Sequence, residues 1–164
     1  MTEKLKIDIK ADIATITFTT PERHNALDDD VVAALSSTFD KLEIRQDVRA
    51  LVIKGEGKSF CAGADISWMA RAENFSAEEN IEDAAMLAKI LYKLYSLPQM
   101  TIACIQGRAL GGGLGIAAAC DYVIAEESAV FSLPEVKVGL TPSTIAPYVM
   151  EAIGTRAAKR YFQT

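Results

Sequence analysis

A single histidine, His24, stands in a chain of 164 residues, and no serine or cysteine lies at a spacing that would pair with it. Nucleophilic triad chemistry therefore has little support, and His24 reads as loop architecture. Cysteine is scarce as well. Cys61, Cys104 and Cys120 are odd in number and far apart, which fits neither a disulfide framework nor a zinc site, so they read as small buried thiols. No run of lysine or arginine occurs and the net charge is −5, which disfavours a nucleic-acid partner. The basic grouping from Arg156 to Arg160 reads as the solvated face of a helix. No stretch approaches the roughly 18 consecutive apolar residues of a membrane span. Met1-Thr2-Glu3-Lys4 opens no secretory apolar core, so a cytoplasmic location is the default expectation.

With 50% hydrophobic and 24% charged residues, the chain can bury the core of one globular domain over residues 1–164. Leu5 to Ile9 and Ile13 to Phe18 alternate apolar and polar residues about Ala11-Asp12, the pattern of a hairpin. Asp28 is placed to cap a helix to about Arg45, with Val32, Leu35, Phe39 and Leu42 on one face. Arg49 to Lys54 reads as a buried strand, Gly55 to Asp65 as a glycine-punctuated loop and Ile66 to Arg71 as a short helix. The polar stretch from Ala72 to Phe75 reads as mobile. Ser76 and Glu79 have capping-box spacing at the head of a helix through Tyr95, whose apolar face is Ile81, Ala85, Leu87, Ala88, Leu91 and Leu94. Thr101 to Gln106 and Tyr122 to Ala125 read as strands, with an extended piece at Val130-Phe131. Helices are expected from the triple glycine to about Ala119, over 143–152 and over 155–162. The class is therefore mixed α/β. The chain stops just after the last helix with no polar tail, and the expectation is a fragment, or a helix that packs on another chain.

The most informative stretch is Ala109-Leu110-Gly111-Gly112-Gly113-Leu114-Gly115, three consecutive glycines between a strand and an alanine-rich helix. Unpaired N–H groups and the positive end of a dipole meet there, and glycine lets a ligand touch the backbone. Such a turn suits an oxygen that carries negative charge. Enolates and tetrahedral adducts of thioesters develop that charge, and two backbone N–H groups aimed at the oxygen stabilise it. Gly112 is one candidate donor. Ala64, in the loop Phe60-Cys61-Ala62-Gly63-Ala64-Asp65, is the other. The alternative is that Gly111 to Gly113 only allow tight helix-on-strand packing.

Glu135 follows Phe131-Ser132-Leu133-Pro134, where the proline favours an extended approach and the neighbours are mostly apolar. A desolvated carboxylate there would exchange protons near neutral pH; the alternative is a surface carboxylate at a turn. Asp65 could cap the short helix or contact a ligand, and Asp121 reads as structural, ending the helix before it. Gly113-Leu114-Gly115-Ile116-Ala117-Ala118 also matches the G-x-G-x-x-A dinucleotide pattern, with Glu135 at about the expected distance beyond. Its glycines, however, fall inside a longer glycine run, and the chain before it is no simple βαβ series. A Walker A loop is excluded because no Gly-Lys-Ser/Thr follows.

Pro21-Glu22-Arg23-His24-Asn25-Ala26-Leu27, Ser59-Phe60-Cys61-Ala62-Gly63-Ala64-Asp65, Gly107-Arg108-Ala109-Leu110-Gly111-Gly112-Gly113 and Ala119-Cys120-Asp121, in this order, resemble the enoyl-CoA hydratase/isomerase (crotonase) family over nearly the whole chain. The resemblance implies a crotonase spiral of ββα units and an acyl-CoA thioester ligand. It implies no metal and no cofactor beyond the coenzyme A that is part of the substrate, and homo-oligomers that are usually trimers. It places Ala64 and Gly112 at the oxyanion positions and Glu135 at one of the two glutamates of the hydratases. Ala62, Asp65 and Ile66 match the stretch lining the adenine and pantetheine portions of CoA. The loop of Arg23, His24 and Ala26 matches the other side of the cofactor, and Gly111 and Leu133 join the substrate site.

The place of the second glutamate, three residues after Gly112, holds Gly115. Related isomerases and 3-hydroxyacyl-CoA hydrolases keep only the later one. Ser132 to Tyr148 is similar to bacterial methylglutaconyl-CoA and carboxygeranoyl-CoA hydratases, relatives that tolerate glycine at the earlier place. This favours hydration of a branched or carboxylated enoyl-CoA over isomerisation, hydrolysis, or a non-catalytic association module. Family members continue into C-terminal helices that close the acyl pocket and build the trimer, so the resemblance implies a core from which that part is missing.

Overall fold

The computed structural model describes residues 4–72 and 74–163. Met1-Thr2-Glu3, which bore on the absence of a leader, and Glu73, within the stretch read as mobile, lie outside the described residues. The expected hairpin forms: β1 (Leu5–Lys10) pairs antiparallel with β2 (Ile13–Phe18), Leu5 opposite Phe18 and Lys10 opposite Ile13. Asp28 then caps α1 (Asp29–Glu43), its carboxylate accepting from Val31 N at 3.1 Å. Lys4 Nζ reaches both Asp28 and Asp30, at 2.6 and 2.7 Å, and so ties the chain entering β1 to the head of α1. Val32, Leu35, Phe39 and Leu42 are buried, as their helical spacing requires.

β3 (Ala50–Gly55), β4 (Met100–Ile105) and β6 (Tyr122–Ala125) extend the sheet in parallel, giving the order β1-β2-β3-β4-β6. Each parallel step needs a crossover, supplied by α1, by α2 (Ile66–Ala72) with α3 (Ala77–Tyr95), and by α4 (Gly112–Ala118). One face of the sheet, carrying Ala14, Ile16, Phe18, Leu51, Ile53 and Ala103, is sealed in the core. On the opposite face Lys6, Thr17 and Lys54 lie side by side across β1, β2 and β3. A groove of about 380 Å³ runs there, and no candidate site residue lines it.

Three elements differ from the sequence reading. The strand through Ile105 does not run on to the triple glycine: Gly107 turns at φ 58°, and a separate β5 (Arg108–Leu110) pairs in parallel with β7 (Val130–Ser132). The capping box at Ser76 and Glu79 is formed, yet only the second half of α3 is sealed, through Ile90, Leu91 and Leu94. Ile81 is 69% exposed and Ala85 and Ala88 are open too, because a 19-residue helix outruns the α1 and α4 surfaces it packs against. Its first half is tied by Asp83, which accepts from Trp68 Nε1 at 2.8 Å. Finally, the two expected C-terminal helices are the two arms of α5 (Ala146–Tyr161), broken at Gly154 with φ 77° and ψ 153°.

Asp121 is structural, but not as the end of a helix. Its carboxylate accepts from Thr101 N at 2.7 Å and from Thr101 Oγ1 at 2.8 Å, pinning the start of β6 to β4. α4 ends earlier, on Ala119. Among the described residues, no helix is long and apolar enough to cross a membrane.

Candidate active site

The residues singled out in the sequence lie on two loops that pair with each other almost as strands do. Ala62 N donates to His24 O at 3.0 Å, Leu27 N to Gly63 O at 2.7 Å and Asp65 N to Leu27 O at 2.8 Å. Leu27 thus makes both bonds of a parallel bridge opposite Ala64. In that geometry Ala64 turns its own N–H and C=O to the other side. Its N–H meets no acceptor among the described residues. Side chains reinforce the pairing: Arg23 ion-pairs with Asp65, and His24 Nδ1 lies 3.1 Å from Ser59 Oγ.

Asp65 is capping α2 and carrying the ion pair at once, since its Oδ1 accepts from Ser67 N at 2.9 Å and from the Ser67 hydroxyl. Burial works against its charge, but the Ser67 bonds and the Arg23 guanidinium outweigh burial and hold the carboxyl below its ordinary value. Ile66, by contrast, is 80% exposed at the start of α2. Ala26 and Ala62 are half-buried within the paired loops.

Asn25 holds this pair of loops together, a role that its place in the motif alone did not reveal. It is fully buried with φ 55°, donates Nδ2 to Glu56 O at 2.9 Å and Ser59 O at 2.8 Å, and accepts from Thr20 N at 3.0 Å. Replacing it with alanine would leave the part-buried Glu56 O and Thr20 N unpaired and Ser59 O with only Gln106 Nε2, at 3.3 Å, an unmade buried bond costing about 1–3 kcal/mol. Asn25→Ala is therefore expected to destabilise the chain by about 2–4 kcal/mol, read as a lower urea midpoint at an unchanged slope.

The glycine run comes against these loops from the other side. Cys61 bridges Ala109 of β5, accepting from Leu110 N at 2.9 Å and donating to Arg108 O at 3.1 Å. A Cβ on Gly63 would stand 2.9 Å from Leu110 O and 3.6 Å from Gly111 Cα, so the segments bearing Ala64 and Gly112 are in contact. Gly111 adopts φ 47° and ψ −118°, a conformation closed to other residues. A Cβ there would also lie 2.6 Å from Glu135 Oε1, so the carboxylate rests on the bare Cα of Gly111. Gly112, the first residue of α4, has an N–H with no acceptor among the described residues.

Glu135 reaches this point from a 3₁₀ turn over Pro134–Val138 rather than from an extended strand, with Leu133 buried just before it. Leu140 N donates to Glu135 O at 3.0 Å and closes the turn behind it. Oε2 is buried and has no hydrogen-bond partner among the described residues. Burial accordingly raises the carboxyl above its ordinary value. An unpaired buried oxygen is costly, and at Glu135 it belongs to an acid whose other oxygen rests on the glycine turn.

One turn along α4, the position of the second family glutamate is filled by packing. A Cβ on Gly115 would fall 2.4 Å from Ile145 Cγ2 and 3.5 Å from Leu91 Cδ1. Gly113 likewise faces Cys61, with a Cβ 2.5 Å from its carbonyl oxygen. The two glycines of the dinucleotide-like pattern thus abut protein and leave no room for a pyrophosphate. Burial pushes the Cys61 and Cys120 thiols up to about 12, so both stay protonated and unreactive. The roles of Asn25, Leu27 and Ile145 were not legible in the sequence; Asn25 and Leu27 at least fall inside one of the four motifs.

The profile of the enoyl-CoA hydratase/isomerase family matches residues 8–164. A Legionella pneumophila structure named for enoyl-CoA hydratase/isomerase (crotonase) superposes with a TM-score of 0.95 at 43% identity, covering 98% of this chain and 62% of its own. An enoyl-CoA hydratase structure from Shewanella pealeana gives a TM-score of 0.95 at 36% identity over 98% of this chain and 60% of its own. A Thermus thermophilus protein named for enoyl-CoA hydratase is 36% identical over 150 residues, 92% of this chain and 59% of that protein. The chain spans about three fifths of the length of the relatives it matches. With these likenesses added to the four motifs and the mixed α/β architecture, the fold is that of the crotonases and the chain belongs to the enoyl-CoA hydratase/isomerase family.

Proposed function

We propose that the chain is the core of a lyase that adds water to the double bond of an α,β-unsaturated acyl-CoA. The observation that carries this reading is the meeting of three groups: the Gly63–Ala64 loop, the Gly111–Gly112 turn and the Glu135 carboxylate, whose Oε2 is buried without a partner among the described residues. The thioester oxygen accepts from the N–H groups of Ala64 and Gly112. Water adds to the β-carbon while ionised Glu135 takes its proton, and the electron pair of the double bond moves onto the thioester oxygen as an enolate. The two N–H groups stabilise that oxygen more as its charge grows, which is what lowers the barrier. Protonation at the α-carbon, with Glu135 returning the proton, completes a 3-hydroxyacyl-CoA.

Arg23, His24, Ala26, Ala62, Asp65 and Ile66 would border the CoA moiety, and Gly111 and Leu133 the acyl end. The likeness of Ser132 to Tyr148 to methylglutaconyl-CoA and carboxygeranoyl-CoA hydratases supports a branched or carboxylated acyl chain. Coenzyme A enters as part of the substrate, and neither a metal nor a further cofactor is needed for this step. A homo-oligomer, a trimer by resemblance, is supported by β6: a parallel strand is normally covered on both faces, yet Tyr122, Val123 and Ile124 are 58%, 45% and 63% exposed. A cytoplasmic location goes with this reading.

A second reading, double-bond isomerisation by Glu135 alone, is favoured by the Ile145 packing that keeps residue 115 without a side chain. Incubation with an enoyl-CoA in deuterated water separates the two. Hydration yields a hydroxyacyl-CoA; isomerisation yields a shifted alkene carrying deuterium; release of free thiol, read with a thiol reagent, would mark a hydrolase instead. The expected result is the hydroxyacyl product. No turnover of any enoyl-CoA in a panel of branched, carboxylated and straight chains would sink the enzymatic reading.

A further inference from the structure

We infer that Leu27 is the positioning residue that fixes the separation of the two proposed N–H donors, Ala64 and Gly112. The inference rests on the acyl-CoA reading above and adds a part to it. Leu27 touches both donor segments, each by a different kind of contact. Its backbone donates to Gly63 O at 2.7 Å and accepts from Asp65 N at 2.8 Å, gripping the residues on either side of Ala64. Its side chain runs to the other donor, where Cδ1 stands 2.9 Å from the place a Cβ on Gly112 would take. Leu27 is 1% exposed, so its side chain is packed against protein rather than solvent.

The consequence is mechanical. The grip on residues 63 and 65 sets where the Ala64 N–H lies, and the leucine side chain, seated on bare glycine, sets how close α4 approaches. Neither contact puts Leu27 on the reacting oxygen, so it acts through the donors. Fixing their separation matters because a displacement of about 1 Å at such a site can cost roughly 10²-fold in rate. A glycine at 112 and a leucine at 27 are thus two halves of one spacing.

The test compares wild type with Leu27→Ala, Leu27→Met and Leu35→Ala, the last removing an equally buried leucine of α1 outside the site. Binding is measured for two probes: butyryl-CoA, a saturated thioester, and acetoacetyl-CoA, whose enolate spreads negative charge onto the thioester oxygen. Leu27→Ala is expected to weaken acetoacetyl-CoA binding by about 10- to 100-fold, with butyryl-CoA changed by less than about threefold. Where turnover is measurable, kcat falls about 10²-fold with KM nearly unchanged. Leu27→Met, of similar volume, restores most of the preference. Leu35→Ala lowers the thermal midpoint without altering the ratio of the two affinities. Equal loss of both probes in Leu27→Ala, or an equal shift of the ratio in Leu35→Ala, would overturn the positioning role alone. Failure of the wild-type chain to bind either probe would overturn the acyl-CoA reading, and the positioning role with it.

Discussion

Glu135→Gln is expected to lower enoyl-CoA turnover by about 10²- to 10⁴-fold, the usual share of a positioned acid–base group, while raising the thermal midpoint at neutral pH. The two effects have one cause. Burial holds the Glu135 carboxyl above its ordinary value, and Oε2 has no partner among the described residues. A group whose proton is held more tightly in the folded state than in the unfolded state contributes stability below the unfolded value. That contribution is lost as pH rises through the folded value. At neutral pH, above the ordinary glutamate range, the wild-type chain therefore bears the cost of holding an acid whose ionised form its surroundings disfavour. Glutamine keeps the shape and does not titrate, and a buried neutral amide costs less than a buried charge. The stability difference should be small in acid, widen in favour of the variant from the ordinary glutamate range upward, and level off above the raised value.

The same shift fixes the pH dependence of the wild-type rate. If ionised Glu135 takes the proton from water, activity falls as pH drops through a value above the ordinary glutamate range, and the variant's residual rate lacks this limb. A variant that loses stability at neutral pH along with activity would make Glu135 a structural partner, and the proposed chemistry would have to go elsewhere.

What the sequence disclosed was whatever local chemistry decides. Asp28 and Ser76 announced helix starts because a cap is a contact with residues three places on, and both caps are formed. The hairpin was legible because alternation and a two-residue turn set its register within fourteen residues, from Leu5 to Phe18. Gly112 and Glu135 stood out as candidates because a glycine run and a carboxylate in apolar surroundings each carry a physical signature, whereas Ala64 was a candidate only through its loop and the family resemblance. The break at Gly107 could not be read: β5 exists only because β7 lies beside it, twenty residues on, and because Cys61 bridges it from the other edge. α3 misled for a related reason. Its apolar repeat is real, but burial of Ile81 depends on how far the neighbouring helices reach. Gly115 was read as a missing glutamate, whereas in space it is half of a contact with Ile145.

The three central glycines are expected to fail in different ways when given a side chain, and Gly113→Ala should harm the fold most clearly. Its new Cβ would lie 2.5 Å from Cys61 O and 2.8 Å from Cys61 Cβ. That oxygen cannot retreat, because it accepts from Leu110 N at 2.9 Å while Cys61 N is held by Arg108 O. Either α4 moves off the Cys61 loop or the bridge to β5 breaks. Overpacking of this kind costs about 1–3 kcal/mol or more, against a gain of at most about 1 kcal/mol from alanine's helix propensity. A net loss of about 2 kcal/mol would lower the melting midpoint by roughly 4–8 °C for a chain of this size.

Gly112→Ala meets only the tip of Leu27, 2.9 Å away, which is the end of a flexible side chain. Its stability should stay within about 1 kcal/mol of wild type, while turnover drops because the methyl both crowds the N–H and displaces the leucine that sets the donor spacing. Gly111→Ala falls between them: its φ of 47° resists any side chain, and its first contact would be Oε1 of Glu135. Calorimetry and turnover on the three variants therefore separate two uses of one glycine run. If Gly112→Ala proved the least stable of the three and Gly113→Ala the least active, close packing would belong to residue 112 and the reacting oxygen to residue 113, reversing the site as drawn.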